Sequence, residues 1–211
     1  MILIWDFNGT ILDDVGIGIE SINALLSRRS LPTIGCRADY HKVFRFPIID
    51  YYADLGLDVG DYDALAHEWV AEYKSRMPHA PMLPGIPETL EAVQNMGIRQ
   101  VILSATEQGQ LNEQVRGLGI EGYFDEILGT GNIYAYSKID TALAFRARHP
   151  EPMLLVGDTD HDLQTAEALG VDCVLIPCGH QSRETLAGLG CRMIDHPTDL
   201  IPLLSAWEKE I

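Results

Sequence analysis

The spacing of apolar residues changes rhythm twice along the chain. Residues 2–5, ILIW, form a short continuous apolar run, consistent with a buried strand. From residue 15 the pattern is different. Val15, Ile19, Ile22 and Leu26 fall at i, i+4, i+7 and i+11, which is one face of a helix. The residues predict further helices at about 39–45, 48–56 and 62–77, and nothing between 15 and 80 alternates as a strand does. The stretch MPHAPMLPGIPETL then spaces Pro78, Pro81, Pro84 and Pro87 three apart, which forbids a helix and stiffens a linker. Beyond it, Ile86, Leu90 and Val93 make a helix face that stops at Gly97. RQVILSA reads as a strand, QLNEQVRGLG as a helix with a glycine stop, and EILG as a short strand. IDTALAFRARH reads as a helix, PMLLVGD as a strand, HDLQTAEALG as a helix and VDCVLIP as a strand.

Continuously apolar strands that alternate with helices imply a parallel sheet covered on both faces. The expected fold is α/β: a Rossmann-like core from 1–14 and 82–211, with an all-helical insert over 15–81. Open sheets of this kind bind ligands at the carboxyl ends of their strands, so a module inserted after the first strand would sit over the site.

Bulk properties narrow the choice of function. With 211 residues and 46% apolar content, the chain can bury a core and is not disordered. Its net charge of −16 repels phosphate backbones and anionic lipid, so neither nucleic acid nor membrane is an expected partner. A bound divalent cation would reverse that field locally. No apolar run approaches the roughly 18 residues of a membrane span, and MILIWD lacks the basic flank of a signal peptide. Cys36, Cys173, Cys178 and Cys191 show no CxxC spacing and read as reduced thiols. The expected location is the cytoplasm.

Four polar positions follow strands. Asp6 ends the first, Ser104 the second, and Asp158 the strand PMLLVG, with Asp162 one helical turn later; Lys138 opens the helix after 129–137. Singly, each has an ordinary role: a turn former, a helix cap, a solvated charge, first-turn acids. As an ordered set they suit phosphoryl transfer. A carboxylate can attack phosphorus to form an aspartyl phosphate. A hydroxyl and an ammonium can offset the phosphate charge. Paired carboxylates suit Mg²⁺, with Asp6 and Asp158 serving the ion and Asp162 holding its waters or orienting Lys138.

These residues resemble the four motifs of the haloacid dehalogenase-like hydrolase superfamily: DFNGT, the Ser after the second apolar strand, Lys138, and GDTDHD. LPGIPETLEAV, GLGIEGYFDEILG and ALGVDCVLIPCG resemble connecting stretches of its phosphoglycolate-phosphatase-like branch, so the likeness covers 1–14 and 82–195. The insert resembles the small helical cap of that branch in length and position. The resemblance implies an Mg²⁺-dependent phosphatase acting on a small phosphorylated metabolite, as a monomer or small homo-oligomer. It implies Asp6 as nucleophile, with Asp6, the Asn8 backbone carbonyl and Asp158 on the metal and Asp162 supporting it. Ser104, Ala105 and Lys138 would hold the phosphate. One departure is Ile139, where the branch often has Pro.

Position 8 is the larger departure. Family phosphatases usually place there an Asp that protonates the leaving oxygen and then helps activate water. Asn8 keeps the turn but transfers no proton, a function that typically supplies about 10²–10⁴-fold. Three readings follow: a substitute such as Asp13, Asp14 or His41; a substrate whose leaving group departs unaided; or a protein that binds or transfers phosphate with little hydrolysis. For substrate choice the basic cluster YHKVFRFP offers His41, Lys42 and Arg45 to an anionic group. A phosphate-receiver domain fits less well, since it has no helical insert of about 65 residues. A metal-free dehalogenase would have no use for the second acidic cluster.

Overall fold

The structure, a computed structural model, describes residues 1–77 and 80–207. Six parallel strands form one sheet: β1 (Ile2–Trp5), β2 (Arg99–Glu107), β3 (Glu126–Thr130), β4 (Met153–Gly157), β5 (Asp172–Leu175) and β6 (Arg192–Met193). Their order is β3-β2-β1-β4-β5-β6, so β1 lies inside the sheet, with β2 on one side and β4 on the other. All four β1 residues are buried, as a strand covered on both faces requires.

Side-chain alternation divides the core into two layers. Ile2 and Ile4 pack with Val101, Leu155, Ala142 and Ala166, beneath α7 (Ile139–Arg148) and α8 (Asp160–Leu169). Leu3 and Trp5 point the other way, to Leu90, Val93, Leu111 and Leu204 on α5 (Ile86–Asn95), α6 (Gln108–Gly117) and α10 (Leu200–Trp207). Trp5 Nε1 donates to buried Gln100 Oε1 at 3.0 Å, which satisfies the indole inside the core.

The expected helical region consists of α1 (Val15–Arg28), α2 (Arg37–Val43), α3 (Ile48–Asp54) and α4 (Tyr62–Arg76). These helices bury their own cluster, in which Ile22, Leu25 and Leu26 of α1 meet Tyr40, Tyr51, Tyr52 and Tyr62. The proline-rich stretch is more than a spacer. Asp13 N donates to Pro81 O and Leu83 N to Ile11 O, both at 2.9 Å, so the two connections to the helical module run antiparallel, side by side. Pro78 of that expected linker lies outside the described residues.

Three elements after β5 went unpredicted: α9 (Arg183–Ala187), the two-residue β6 and α10. β6 is too short to show a period, and α10 follows no strand signal. β2 runs past Ser104 to Glu107 with a register irregularity after Leu103, so Ser104 caps no helix; Glu107 caps α6 through Gly109 N and Gln110 N.

Candidate active site

The carboxyl ends of β1, β2 and β4, with the loops after β3 and β5, converge on one buried polar cluster. Lys138 lies at the start of α7 with its side chain almost fully buried. Its ammonium donates to Asp6 Oδ1 and to Asp162 Oδ1, each at 2.5 Å, and to Leu103 O at 3.2 Å. Asp162 holds its own helix end as well. Its Oδ2 accepts from Asp158 N, Thr159 N and Thr159 Oγ1 at 3.1, 2.9 and 2.7 Å, closing a capping box at the start of α8.

Asp158 is fixed from two sides: Thr10 Oγ1 donates to Oδ1 at 2.8 Å and His180 N to Oδ2 at 2.6 Å. Close approach here needs glycine. A Cβ on Gly9, which has φ +76°, would lie 2.4 Å from Asp158 Oδ2, and one on Gly179 would lie 2.0 Å from it.

Asn8 is fully occupied. Its Oδ1 accepts from Ser104 Oγ at 3.2 Å and Thr106 Oγ1 at 2.8 Å; its Nδ2 donates to Asp14 Oδ2 at 2.8 Å and Tyr73 Oη at 2.9 Å. The amide thus joins the end of β2 to α4, using two acceptor and two donor valences that no carboxylate offers. Asp14 accepts also from Gly9 N at 2.9 Å and Tyr73 Oη at 2.5 Å, and pairs with His180 Nε2 at 3.2 Å. The other His180 nitrogen meets Tyr40 Oη at 2.6 Å, so the chain Tyr40–His180–Asp14–Tyr73 ties the helical module to the sheet edge.

The charges are unevenly matched. Asp6, Asp158 and Asp162 bring carboxylate oxygens within 4.8 Å of one another. Burial raises the Asp6 carboxyl well above its usual range; Lys138 opposes this, and the charges of Asp162 and Asp158 add to it. Burial likewise raises Asp158, to about 6, against the pull of the His180 charge. For Asp162 burial is outweighed by Lys138, and its carboxyl stays below the usual range; Lys138 itself is raised because its two carboxylates outweigh its own desolvation. His180 is pushed up to about 9, since Asp14 overcomes its burial, and Asp14 is held down in return.

Of the candidates read from the sequence, Asp6, Lys138, Asp158 and Asp162 meet in this cluster. Ser104 reaches it through Asn8, and Ala105 lines the adjoining cavity. The basic residues lie elsewhere. Arg45 is half-exposed and paired with Asp54 at 2.7 Å; Lys42 is exposed and paired with Asp39 at 2.9 Å. His41 Nε2 donates to Gly179 O at 3.0 Å, gripping the loop that carries His180. None of the three lines the cavity. Sequence reasoning missed Thr10, Tyr73, Thr106 and His180. His180 had a signal, because it follows the apolar run VLIP at the same sheet edge.

The first strand of a parallel sheet thus delivers a buried carboxylate beside a lysine and two further acids. The chain belongs to the haloacid dehalogenase-like hydrolase family, whose profile matches residues 3–176. It is 24% identical over 232 residues to the phosphoglycolate phosphatase of Pseudomonas syringae pv. syringae, covering 100% of this chain and 82% of that protein. It is 24% identical over 210 residues to the tyrosine-protein kinase PtkA of Mycobacterium tuberculosis, covering 97% and 72%. A haloacid dehalogenase-like family hydrolase from Streptococcus pneumoniae shares the fold with a TM-score of 0.83 at 20% identity, covering 96% of this chain and 97% of that one. No helix among the described residues is long and apolar enough to cross a membrane.

Proposed function

We propose that the chain is a phosphatase that hydrolyses a small phosphomonoester through an aspartyl phosphate on Asp6. The single supporting observation is the charge balance of the cluster. Three buried carboxylates share one ammonium, while His180 is already matched by Asp14. The deficit and the all-oxygen donor set fit a hard divalent ion such as Mg²⁺. Asp6, Asp158 and the Asn8 backbone carbonyl would hold it, with Asp162 behind them. Bound there, Mg²⁺ supplies positive charge that offsets the phosphate and keeps Asp6 ionised.

The protein's own groups do the rest. Asp6 attacks with Oδ2, to which no described residue donates, while Oδ1 stays on Lys138. Lys138 and Ser104 would turn donors to the phosphate oxygens in exchange for their contacts to Leu103 O and Asn8 Oδ1, beside the backbone at Ala105. Asn8 orients the turn and moves no proton. Residues 15–81 act as a cap on the core formed by 1–14 and 82–211. The curated relative that acts on phosphoglycolate supports a small phosphorylated metabolite as substrate.

Phosphate release from a panel of phosphomonoesters, with and without Mg²⁺, tests the proposal. Asp6→Asn is expected to lower kcat by at least about 10³-fold. Asn8 favours a second reading, a protein that holds or transfers phosphate: metal-dependent retention without release would support it and overturn the first.

A further inference from the structure

The cluster opens into a cavity of about 140 Å³ between the sheet edge and the helical module. Its walls are aromatic: Tyr40, Phe44, Tyr51, Tyr62, Trp69 and Tyr73. Trp69 and Tyr73 stack with centroids 4.6 Å apart and planes at 20°. The charged side chains among the described lining residues are Asp6, Asp14, Glu107 and His180, with no Lys or Arg. A substrate carrying a second anionic group would therefore meet Glu107 and find no free cation. An apolar cavity of roughly 150 Å³ takes one benzene ring.

Two further observations concern what enters. Tyr51 lines the cavity, while its hydroxyl is fully sheltered and has no hydrogen-bond partner among the described residues. The polar groups flanking Asp6 are also spent. Asn8 uses both ends of its amide, Asp14 accepts from Asn8, Gly9 and Tyr73 and pairs with His180, and His180 uses both ring nitrogens. None is free to hand a proton to a leaving oxygen.

Resting on the phosphatase reading above, we infer that the substrate is an aryl phosphate, whose ring occupies the aromatic cavity. The Asp6 oxygen bonds to phosphorus as the bond from phosphorus to the aryl oxygen breaks. The electron pair departs on the phenolate, which takes its proton from solvent. Water then attacks the aspartyl phosphate, restoring the carboxylate and releasing inorganic phosphate. A phenol ionises near pH 10, far more readily than an alkyl alcohol, so this leaving group needs no acid.

Binding and turnover are measured separately. Calorimetry in Mg²⁺ compares phenylphosphonate with phosphonoacetate, neither of which requires hydrolysis. Phenylphosphonate is expected to bind at least about tenfold tighter, the scale of one or two aromatic contacts; equal or reversed affinities overturn the inference. Phosphate release then compares phenyl phosphate, phosphoglycolate and acetyl phosphate. Phenyl phosphate is expected to exceed phosphoglycolate at least about 10²-fold in kcat/KM. Turnover of phosphoglycolate at an equal or higher rate sinks the aryl assignment and leaves the phosphatase standing, whereas no release from any of the three sinks the phosphatase reading. Trp69→Ala should raise KM for phenyl phosphate several-fold more than for acetyl phosphate. Equal effects on both substrates count against a ring site.

Discussion

The floor and the roof of the cavity are built from opposite materials. The floor, at the strand ends, packs Asp6, Asp158, Asp162 and Lys138 into a few ångströms, with most of their polar atoms held by the protein. The roof, from α2, α3 and α4, presents aromatic rings. On the proposed reading the floor meets a charge whose shape never varies, a phosphoryl group, so it can be rigid and dense. The roof meets the part of the substrate that differs between enzymes, where area and shape discriminate and charge is sparse. Asn8 sits at the seam and belongs to both, bonded to β2 on one side and α4 on the other.

The strongest way to break this contrast is to remove the floor's single buried cation. Lys138→Met should cut kcat by about 10²–10³-fold, as loss of one preorganised charge does. It also strands Asp6 and Asp162, so thermal or urea unfolding should report a loss of about 3–5 kcal/mol. A stable Lys138→Met protein with full turnover would mean that the floor is not a charge-balanced site.

Next in size is the seam. Asn8→Asp places a carboxylate 2.8 Å from that of Asp14, and two acids so close share a proton. That proton becomes available to a leaving oxygen. Hydrolysis of alkyl phosphates should rise, by up to about 10²-fold, and aryl phosphates should gain far less. An equal gain for both classes would show that the leaving group was never the constraint.

The tie between roof and floor should depend on pH. The His180 value is raised to about 9, so its contribution to stability is complete below its ordinary value near 6.5 and fades as pH climbs through 9. The Asp14 value is lowered, so its contribution is present above its ordinary range and fades on acidification. The difference in Tm between the protein and His180→Gln should therefore be largest between about pH 4 and 6.5, shrink as pH climbs toward 9, and shrink again on stronger acidification. A difference that is flat from pH 5 to 10 would deny the pair this role.

The smallest effect is expected from Arg45→Ala. Its exposed pairs with Asp54 and Asp50 are worth little, and it does not line the cavity. KM should change less than about twofold and stability by less than about 0.5 kcal/mol. A several-fold rise in KM would return the roof to the charged model of recognition that the YHKVFRFP segment suggests.

Strands and helices of the core were legible because each carries its own period. ILIW, RQVILSA and PMLLVGD are continuously apolar, and GLG and ALG close helices with Gly119 at φ +70° and Gly170 at φ +65°. Asp6 and Asp158 were legible because each directly follows a strand, with Asp162 one helical turn on and Lys138 opening the helix after β3, and a parallel sheet brings such ends to one edge whatever the details of packing. The basic cluster stands apart from the cavity: Arg45 pairs with Asp54, and Lys42 with Asp39 three residues before it.

The order of residues alone determined which side chains share the strand ends, because parallel topology converts position after a strand into position in space. It determined too that the amide at position 8 can hold a turn but not transfer a proton. Folding in three dimensions decided the rest. That Asn8 links Thr106 to Tyr73, that His180 and Asp14 neutralise each other, and that aromatic rings from three separate helices enclose a space lined by no Lys or Arg among the described residues are all products of contact between distant segments. Helical period says which face of α2, α3 or α4 is buried, but only packing against the sheet edge says what that face surrounds.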